Sequence, residues 1–220
     1  MSHHLTLQNI EIRKEGQLLL AADTRIGPGE VFTVMGPSGV GKSTLLAMVA
    51  GFIDPVFMTQ GAILMDGRDI TDLPIEQRHI GLLFQDPLLF PHLSVAGNLR
   101  FGLPASVRDR KSRVLMALQD IGLGGFEDRD PATLSGGERS RIALMRLLLS
   151  DPHAVLLDEP FSKLDAGLRS EMRDLVFGRL KAAGLPAILV THDTEDAEAA
   201  GGEVLDLGAG GGSAIVLNSI

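Results

Sequence analysis

The chain has no cysteine, no tryptophan and no tyrosine, so its 9 phenylalanines and 6 histidines are its only ring-bearing side chains apart from proline. Without cysteine there is no disulfide, no thiol nucleophile and no cysteine-ligated zinc, a usage that fits a reducing compartment. Long apolar runs are absent as well: "AVLL" and "LLL" fall far short of the ~20 residues that span a bilayer, and a soluble chain is expected. The opening "MSHHLTLQNIEIRKEG" carries no apolar stretch behind a basic start, so no secretory signal is expected. A formal charge of -8 argues against nonspecific nucleic-acid binding. There is no internal repeat, no heptad run and no linker rich in proline or serine.

What is present is a core. An apolar content of 45% excludes a disordered tail protein, and 220 residues can bury roughly 70% of the unfolded surface. The first third alternates short β-type runs with turns: "LTLQNIEI", "EVFTVM", "AILM" before an Asp66-Gly67 hairpin dipeptide, then "IGLLF". From Pro87 to Pro131 the pattern changes to loops and helical periodicity, clearest in "RKSRVLMALQDIGL", which marks an inserted lobe. The last third alternates helices ("GERSRIALMRLLLSD", "LRSEMRDLVFGRLKAAG") with fully apolar strands ("AVLLD", "AILVT"). Such alternation implies a parallel sheet covered on both faces. The terminal "GAGGGSAIV" reads as a turn before a last strand, because no helix follows it.

Gly36, Pro37, Ser38, Gly39, Val40, Gly41, Lys42, Ser43 and Thr44 spell "GPSGVGKST", which satisfies G-x-x-x-x-G-K-S/T between the strand "VFTVM" and the helix "STLLAMVAG". Backbone N–H groups freed by the glycines, with the helix N-terminus, suit a triphosphate; Lys42 adds charge and Ser43 a hydroxyl oxygen for Mg2+. A turn that only starts a helix explains the glycines but not Lys42 and Ser43. The strand "AVLLDEP" delivers Asp158, the candidate magnesium carboxylate, and Glu159, the candidate general base, to the carboxyl edge of the sheet. His192 follows "AILVT" in the same way and gains a role only from that company. The stretch "ATLSGGERSR" offers a second anion cradle at Ser135, Gly136 and Gly137. Ser135 and Glu138 also have capping-box spacing, which accounts for a helix start on its own, and the two readings are compatible.

In this order the motifs resemble those of the nucleotide-binding subunits of ABC transporters, over about residues 5–207. "GPSGVGKST" and "AVLLDEP" resemble the Walker A and B segments, "LLFQD" the Q-loop with Gln85, "LSGGE" the family signature, "SKLD" the D-loop with Asp165, and "THD" the switch histidine, His192. The resemblance implies an α/β fold: a P-loop NTPase core with a mixed sheet, an N-terminal antiparallel β part and an inserted helical subdomain. Residues 1–220 would form one ABC ATPase domain, with 1–86 and 132–220 as catalytic core and 87–131 as helical lobe. It further implies ATP and Mg2+ as cofactors, with Ser43, Gln85 and Asp158 at the metal and Glu159, His192 and Gln85 in catalysis. Partners implied are a second ATP-binding subunit in a head-to-tail homodimer, a transmembrane permease, and a periplasmic or extracellular solute-binding protein, with no nucleic acid. The expected place is cytoplasmic, peripheral on the inner face of the cell membrane.

"LFQDPLLFPHLSVAGNLRFGL", "DLPIEQRHIG" and "DEPFSKLDAGLRSEM" resemble short bacterial importers of the thiamine, iron and sulfate type, and put Phe90, Pro91 and Leu93 near the permease. With about thirty residues after His192, no C-terminal regulatory domain is expected. Two departures stand out. Glu138 replaces the usual Gln of the signature, and no aromatic precedes Phe32 to stack on adenine, which leaves Arg13 or Lys14 as substitutes and weaker base selectivity as the expectation. The alternative reading is a soluble ABC-type ATPase acting on nucleic acid or in translation; it lacks the usual coiled-coil insertion or second cassette. A scaffold with little turnover is the third, opposed by the filled catalytic positions.

Overall fold

The two kinds of β segment fold into two separate five-stranded sheets in the computed structural model, which describes residues 2–37, 39–208 and the backbone of 215–217. Ser38 and the glycine-rich turn at 209–214 lie outside the described residues. The chain runs β1 (Leu5–Lys14), β2 (Gln17–Ile26), β3 (Val31–Met35), α1 (Lys42–Ala50), β4 (Phe57–Met65), β5 (Arg68–Asp69), α2 (Ile75–Arg78) and β6 (Ile80–Leu83). It continues through α3 (Val95–Gly102), α4 (Arg110–Asp120), a 3-10 turn at Pro131–Thr133 and α5 (Gly136–Leu148). Then follow β7 (Ala154–Asp158), α6 (Ala166–Ala183), β8 (Ala187–Thr191), α7 (Thr194–Ala200), β9 (Val204–Asp206) and β10 (Ile215–Leu217). One sheet is ordered β10-β2-β1-β4-β5 and the other β6-β7-β8-β3-β9. The second is parallel in every pairing; the mixed character expected falls on the first, where β10 runs parallel to β2 among antiparallel neighbours.

The parallel strands are apolar on both faces because both faces are covered. Val155 and Leu157 of β7 enter the cluster formed with α3, α4, α5 and α6, while Ala154 and Leu156 enter the one formed with α1 and the N-terminal sheet. This is the two-residue period of a strand dividing one sequence between two cores. The Asp66-Gly67 dipeptide makes the β4–β5 turn with φ of 54° and 80°, the positive pair that a two-residue hairpin demands. Strand β2 does not stand out in the sequence: its run "LLLAA" lacks clean alternation, and two register shifts in β1 break the pattern that would have paired them.

Arg78 ties the sheets' connections to α1. Its buried guanidinium donates to Met48 O (3.0 Å) and Val49 O (2.9 Å) at the helix C-terminus, to Leu73 O (2.8 Å), and to Thr71 O. A cation here satisfies orphan carbonyls and opposes the helix dipole. Gly51, at φ 96°, is required twice over: it terminates α1 in the left-handed region, and a Cβ would stand 2.6 Å from Arg78 Nε. Arg78→Met should therefore cost about 3 kcal/mol of unfolding free energy, since several buried carbonyls lose a charged donor. An unchanged denaturant midpoint would refute this.

Beside Arg78, where β6 and β7 begin, three imidazoles stack, His3 on His153 (4.3 Å between centroids) and His153 on His79 (4.9 Å), with His3 Nδ1 at 2.7 Å from Asp66 Oδ2. Burial, with His3 and His79 beside it, pushes the His153 imidazole below its ordinary value against the opposing pull of Asp66 and Asp151. A histidine depressed in the folded state binds its proton more readily when unfolded, so its contribution is full above about pH 6.5 and is lost as pH falls. The thermal midpoint should thus drop more steeply on acidification in the native chain than in His153→Phe, which keeps a ring in the stack. Parallel profiles would remove His153 as the cause.

Candidate functional site

The loop from β3 to α1 is shaped by three glycines in the left-handed half of backbone space: Gly36 (φ 144°), Gly39 (85°) and Gly41 (101°). It delivers α1 with its N-terminus bare. The other described helices of eight residues or more are capped by Ser94, Asp109, Ser135 or Asp165, whereas α1 starts at Gly41 with no side-chain cap and no acid in its first turn. Its unpaired N–H groups are thus left for an external anion. Lys42, almost fully buried, donates to Gly36 O (2.6 Å) and Pro37 O (2.8 Å), so its ammonium folds back along the inside of the loop.

Opposite that loop, the parallel strands end level with one another, and the residues that follow them meet. Asp158 ends β7; burial pushes its carboxyl above the usual range, against a hydrogen bond from Ser43 and the charge of Lys42. Glu159 follows at φ 47°, unusual for a side-chain-bearing residue, with its N–H held by Val190 O at 2.9 Å. Its two oxygens are both engaged: Gln85 Nε2 donates to Oε2 (3.0 Å) and His192 Nδ1 to Oε1 (3.1 Å). A cavity of about 400 Å³ opens between Gly39, Lys42, Ser43, Asp158, Glu159 and His192, with Gly41, Thr44 and Gln85 completing its wall. Gly36, Pro37 and Val40 form the loop behind it without lining it.

The donors fit a nucleotide triphosphate and magnesium. No cluster of three histidine, aspartate or glutamate side chains among the described residues holds a metal alone. Ser43, Asp158 and the amide oxygen of Gln85 supply hard oxygens in number suited to an ion that keeps water and phosphate ligands.

Ser135, Gly136 and Gly137 lie outside this cavity. They open α5 with a complete capping box: Ser135 Oγ accepts from Glu138 N–H (3.2 Å) and Glu138 Oε2 accepts from Ser135 N–H (2.6 Å). That backbone bond holds the Glu138 carboxyl below its ordinary value, so the helix start carries a negative charge. No heavy atom outside the local chain lies within 4 Å of a Cβ built on Gly136, so its backbone is open to approach. The molecule therefore holds one bare helix start beside its carboxylates and one capped start elsewhere.

A family model described as ABC transporter matches residues 19–162. The chain belongs to the ABC transporter family. It is 44% identical over 206 residues to "Uncharacterized ABC transporter ATP-binding protein YnjD" of Escherichia coli K12, covering 92% of this chain and 94% of that one. It is 46% identical over 197 residues to "Thiamine import ATP-binding protein ThiQ" of Jannaschia sp. CCS1, covering 88% and 84%. Among solved structures it superposes with a TM-score of 0.78 and 28% identity, over 93% of this chain and 94% of the other, on the "dimeric structure of a post-hydrolysis state of the ATP-binding cassette MJ0796 bound to ADP and Pi". With that fold and this cavity the ABC chain is an ATPase. No helix among the described residues is long and apolar enough to cross a membrane.

The ABC chain departs from expectation at the base. Arg13 and Lys14 do not stand free for an adenine: Arg13 donates to Glu11 Oε2 (3.1 and 3.0 Å) and Gly16 O (3.4 Å), and Lys14 Nζ sits 5.8 Å from the Phe57 ring centre. Glu11 lies two residues before Arg13 on β1, and Phe57 is the residue of β4 paired with Lys14. The β2 side chain against the phosphate loop is Leu19, 3.5 Å from where a Cβ on Gly41 would stand.

A second cavity, of about 270 Å³, lies beside the Gln85 segment and is lined by Phe84, Leu88, Phe90, Phe101 and Arg146. Of the three residues expected near a permease, Phe90 lines this cavity and Pro91 and Leu93 do not. Phe84, Leu88 and Phe101 are all more than 40% exposed and join Phe90 in this lining; the sequence shows three large apolar residues there but not that water reaches them. Ser135→Ala should cost about 1 kcal/mol of unfolding free energy by loss of the cap, and Ser135→Asp, an equally good cap, should not. If both variants keep full ATP turnover, Ser135 is a cap and nothing more.

Proposed function

We propose that this ABC ATPase powers solute import through a membrane permease, as two copies that close head to tail over two ATP molecules. The observation that carries the reading is the separation of the two anion cradles: a single copy places its signature outside its own phosphate cavity, so a second copy is what brings one cradle over the other. In this reading residues 1–86 and 132–220 are the catalytic core and 87–131 the helical lobe, which meets the permease through Leu88, Phe90 and Phe101 together with Phe84 of the core. Import is supported by the identity to a thiamine import subunit, and a solute-binding protein outside the membrane belongs to the same reading. The subunit would sit on the inner face of the cell membrane. A nucleic-acid role gains no support from a charge of -8.

The chemistry follows from positions. The loop at Gly36–Thr44 and Lys42 bind the β- and γ-phosphates through N–H groups and one cation. Mg2+, when bound, neutralises phosphate charge, with Ser43, Gln85 and Asp158 to hold it. Glu159 accepts the proton of the attacking water at a lone pair that Gln85 and His192 leave free. His192 then turns to the γ-phosphoryl group, while Ser135, Gly136 and Gly137 of the second copy close from the other side. Such catalysis is mostly positioning and charge stabilisation.

Glu159→Gln should lower turnover by about 10²- to 10⁴-fold, the range for a general base, while ATP binding and an ATP-dependent dimer persist in sedimentation. In the native chain the specific activity should rise with subunit concentration while dimers are scarce. Activity strictly proportional to concentration down to dilute monomer, or normal turnover in Glu159→Gln, would each defeat the proposal.

A further inference from the structure

The densest buried charge network among the described residues lies behind His192. Arg173 of α6 donates from Nε to Asp196 Oδ1 (2.6 Å), from Nη1 to Glu195 Oε2 (2.8 Å) and from Nη2 to Asp193 Oδ2 (3.2 Å). Thr191 Oγ1 donates to Asp196 Oδ2 (2.9 Å) and accepts from Asp193 N–H (3.1 Å). Arg173 and Asp196 are nearly fully buried, so this group anchors α6 to the end of β8.

One turn earlier, Arg169 does something different. Its Nη1 donates to the same Asp193 Oδ2 (2.9 Å), but its Nη2 reaches Leu164 O (3.1 Å), in the turn that continues from Glu159. That turn is stitched to Glu159 itself: Ser162 N–H (3.3 Å) and Ser162 Oγ (2.9 Å) both donate to Glu159 O. The contacts therefore close a ring, from Glu159 through the chain to Leu164, across Arg169 to Asp193, back one residue to His192, and from His192 Nδ1 to Glu159 Oε1. Arg169 is its only member that bridges the two segments without belonging to either.

We propose that Arg169 is a positioning residue for ATP hydrolysis, fixing the turn after Glu159 against the backbone of His192 so that the two side chains keep a common register. The inference rests on Glu159 and His192 being the hydrolytic pair. Three observations support it. His192 is 64% exposed at its side chain, so little packing holds the imidazole, and its place is set by its backbone and Glu159. Arg169 Nε is buried without a protein partner among the described residues. A placement that leaves a buried donor unmet is unfavourable in itself, so the two contacts of the fork must outweigh it. On the other flank of the turn, Lys163 pairs with Asp86, but Asp86 is 83% exposed, and such a pair contributes little. Burial of Phe161 and Leu164 and the bond from Glu159 N–H to Val190 O place the turn as a whole; the link from its end to Asp193 is made by Arg169, whose planar fork reaches both acceptors where an ammonium would serve one.

The test is steady-state hydrolysis by the full chain, with stability followed in parallel. Arg169→Met keeps the stem and leaves Asp193 on Arg173; kcat should fall by about tenfold or more with KM for ATP within about twofold, a displacement effect rather than a binding one. The melting temperature should change by less than about 4 °C, whereas Arg173→Met should lower it further. Arg169→Lys should recover only part of kcat. Because the effect runs through His192, His192→Ala combined with Arg169→Met should be no slower than His192→Ala alone. Hydrogen exchange in Arg169→Met should rise at 160–165 and 191–193 and nowhere else. Unchanged kcat, additive losses in the double variant, or a stability loss equal to that of Arg173→Met would overturn the proposal. Full turnover in His192→Ala would instead fell the underlying reading of the site, and the inference with it.

Discussion

The site depends on the register of one parallel sheet. Leu83 pairs with Leu157, Asp158 with Val190, and Thr191 with Met35, so β6, β7, β8 and β3 end at one level. Each strand is an apolar run that must be buried on both faces, and each is followed at once by a polar or glycine segment that cannot be. Burial of the runs therefore lifts Gln85, Asp158, Glu159, His192 and the glycine loop to the same edge without any direct attraction among them. A slip of one residue in β7 would exchange the faces of Val155 and Leu156, take Asp158 into a core, and remove the carboxylates from the phosphates. In this sense hydrophobic packing, more than any attraction between charges, places the charged site.

Against that fixed edge, the two anion cradles are built oppositely. The start of α1 is left bare, with no cap and no acid, and the energy of its unmet N–H groups is recovered only when an anion arrives. The start of α5 is satisfied already, with Ser135 and Glu138 each meeting a backbone group of the other. A bare helix start can attract a nucleotide by itself; a capped one that carries a carboxylate cannot hold one as firmly. The asymmetry suits an order in which the phosphate loop loads first and the signature closes second, with the charge of Glu138 opposing closure rather than loading.

Much of this was legible in the sequence because it is local. The glycine-rich loop, the apolar strands and the acids that end them are written in spans of ten residues, where turn chemistry and strand period act. What was not legible is what joins distant spans. Arg78 could not be assigned to the carbonyls of Met48 and Val49, thirty residues away, because an arginine after "PIEQ" looks like any other surface cation. Nor could the stack of His3, His79 and His153, since three histidines scattered along a chain carry no spacing signal. Arg13 or Lys14 was expected over a base because the stacking position of the resembled family falls within "IRKEG"; the pairing of Arg13 with Glu11 joins two side chains of one strand, which a motif position does not reveal. Strand β2 escaped for the opposite reason, being more apolar than its alternation required.

The resting contacts of Glu159 give the site its dynamics. Glu159 accepts from both Gln85 and His192 and lines the phosphate cavity, so a water entering there meets a carboxylate whose two oxygens each already take one donor. Each oxygen keeps a further lone pair for a water, and the resting donors set which side of the carboxylate that water meets. His192 is exposed and lightly packed, and Gln85 directly follows Phe84, which lines the groove with Leu88 and Phe90. Two donors on one carboxylate compete for its charge, so loss of either bond strengthens the other, and the strand end that carries His192 and the segment that borders the groove are joined through the two oxygens of a single side chain.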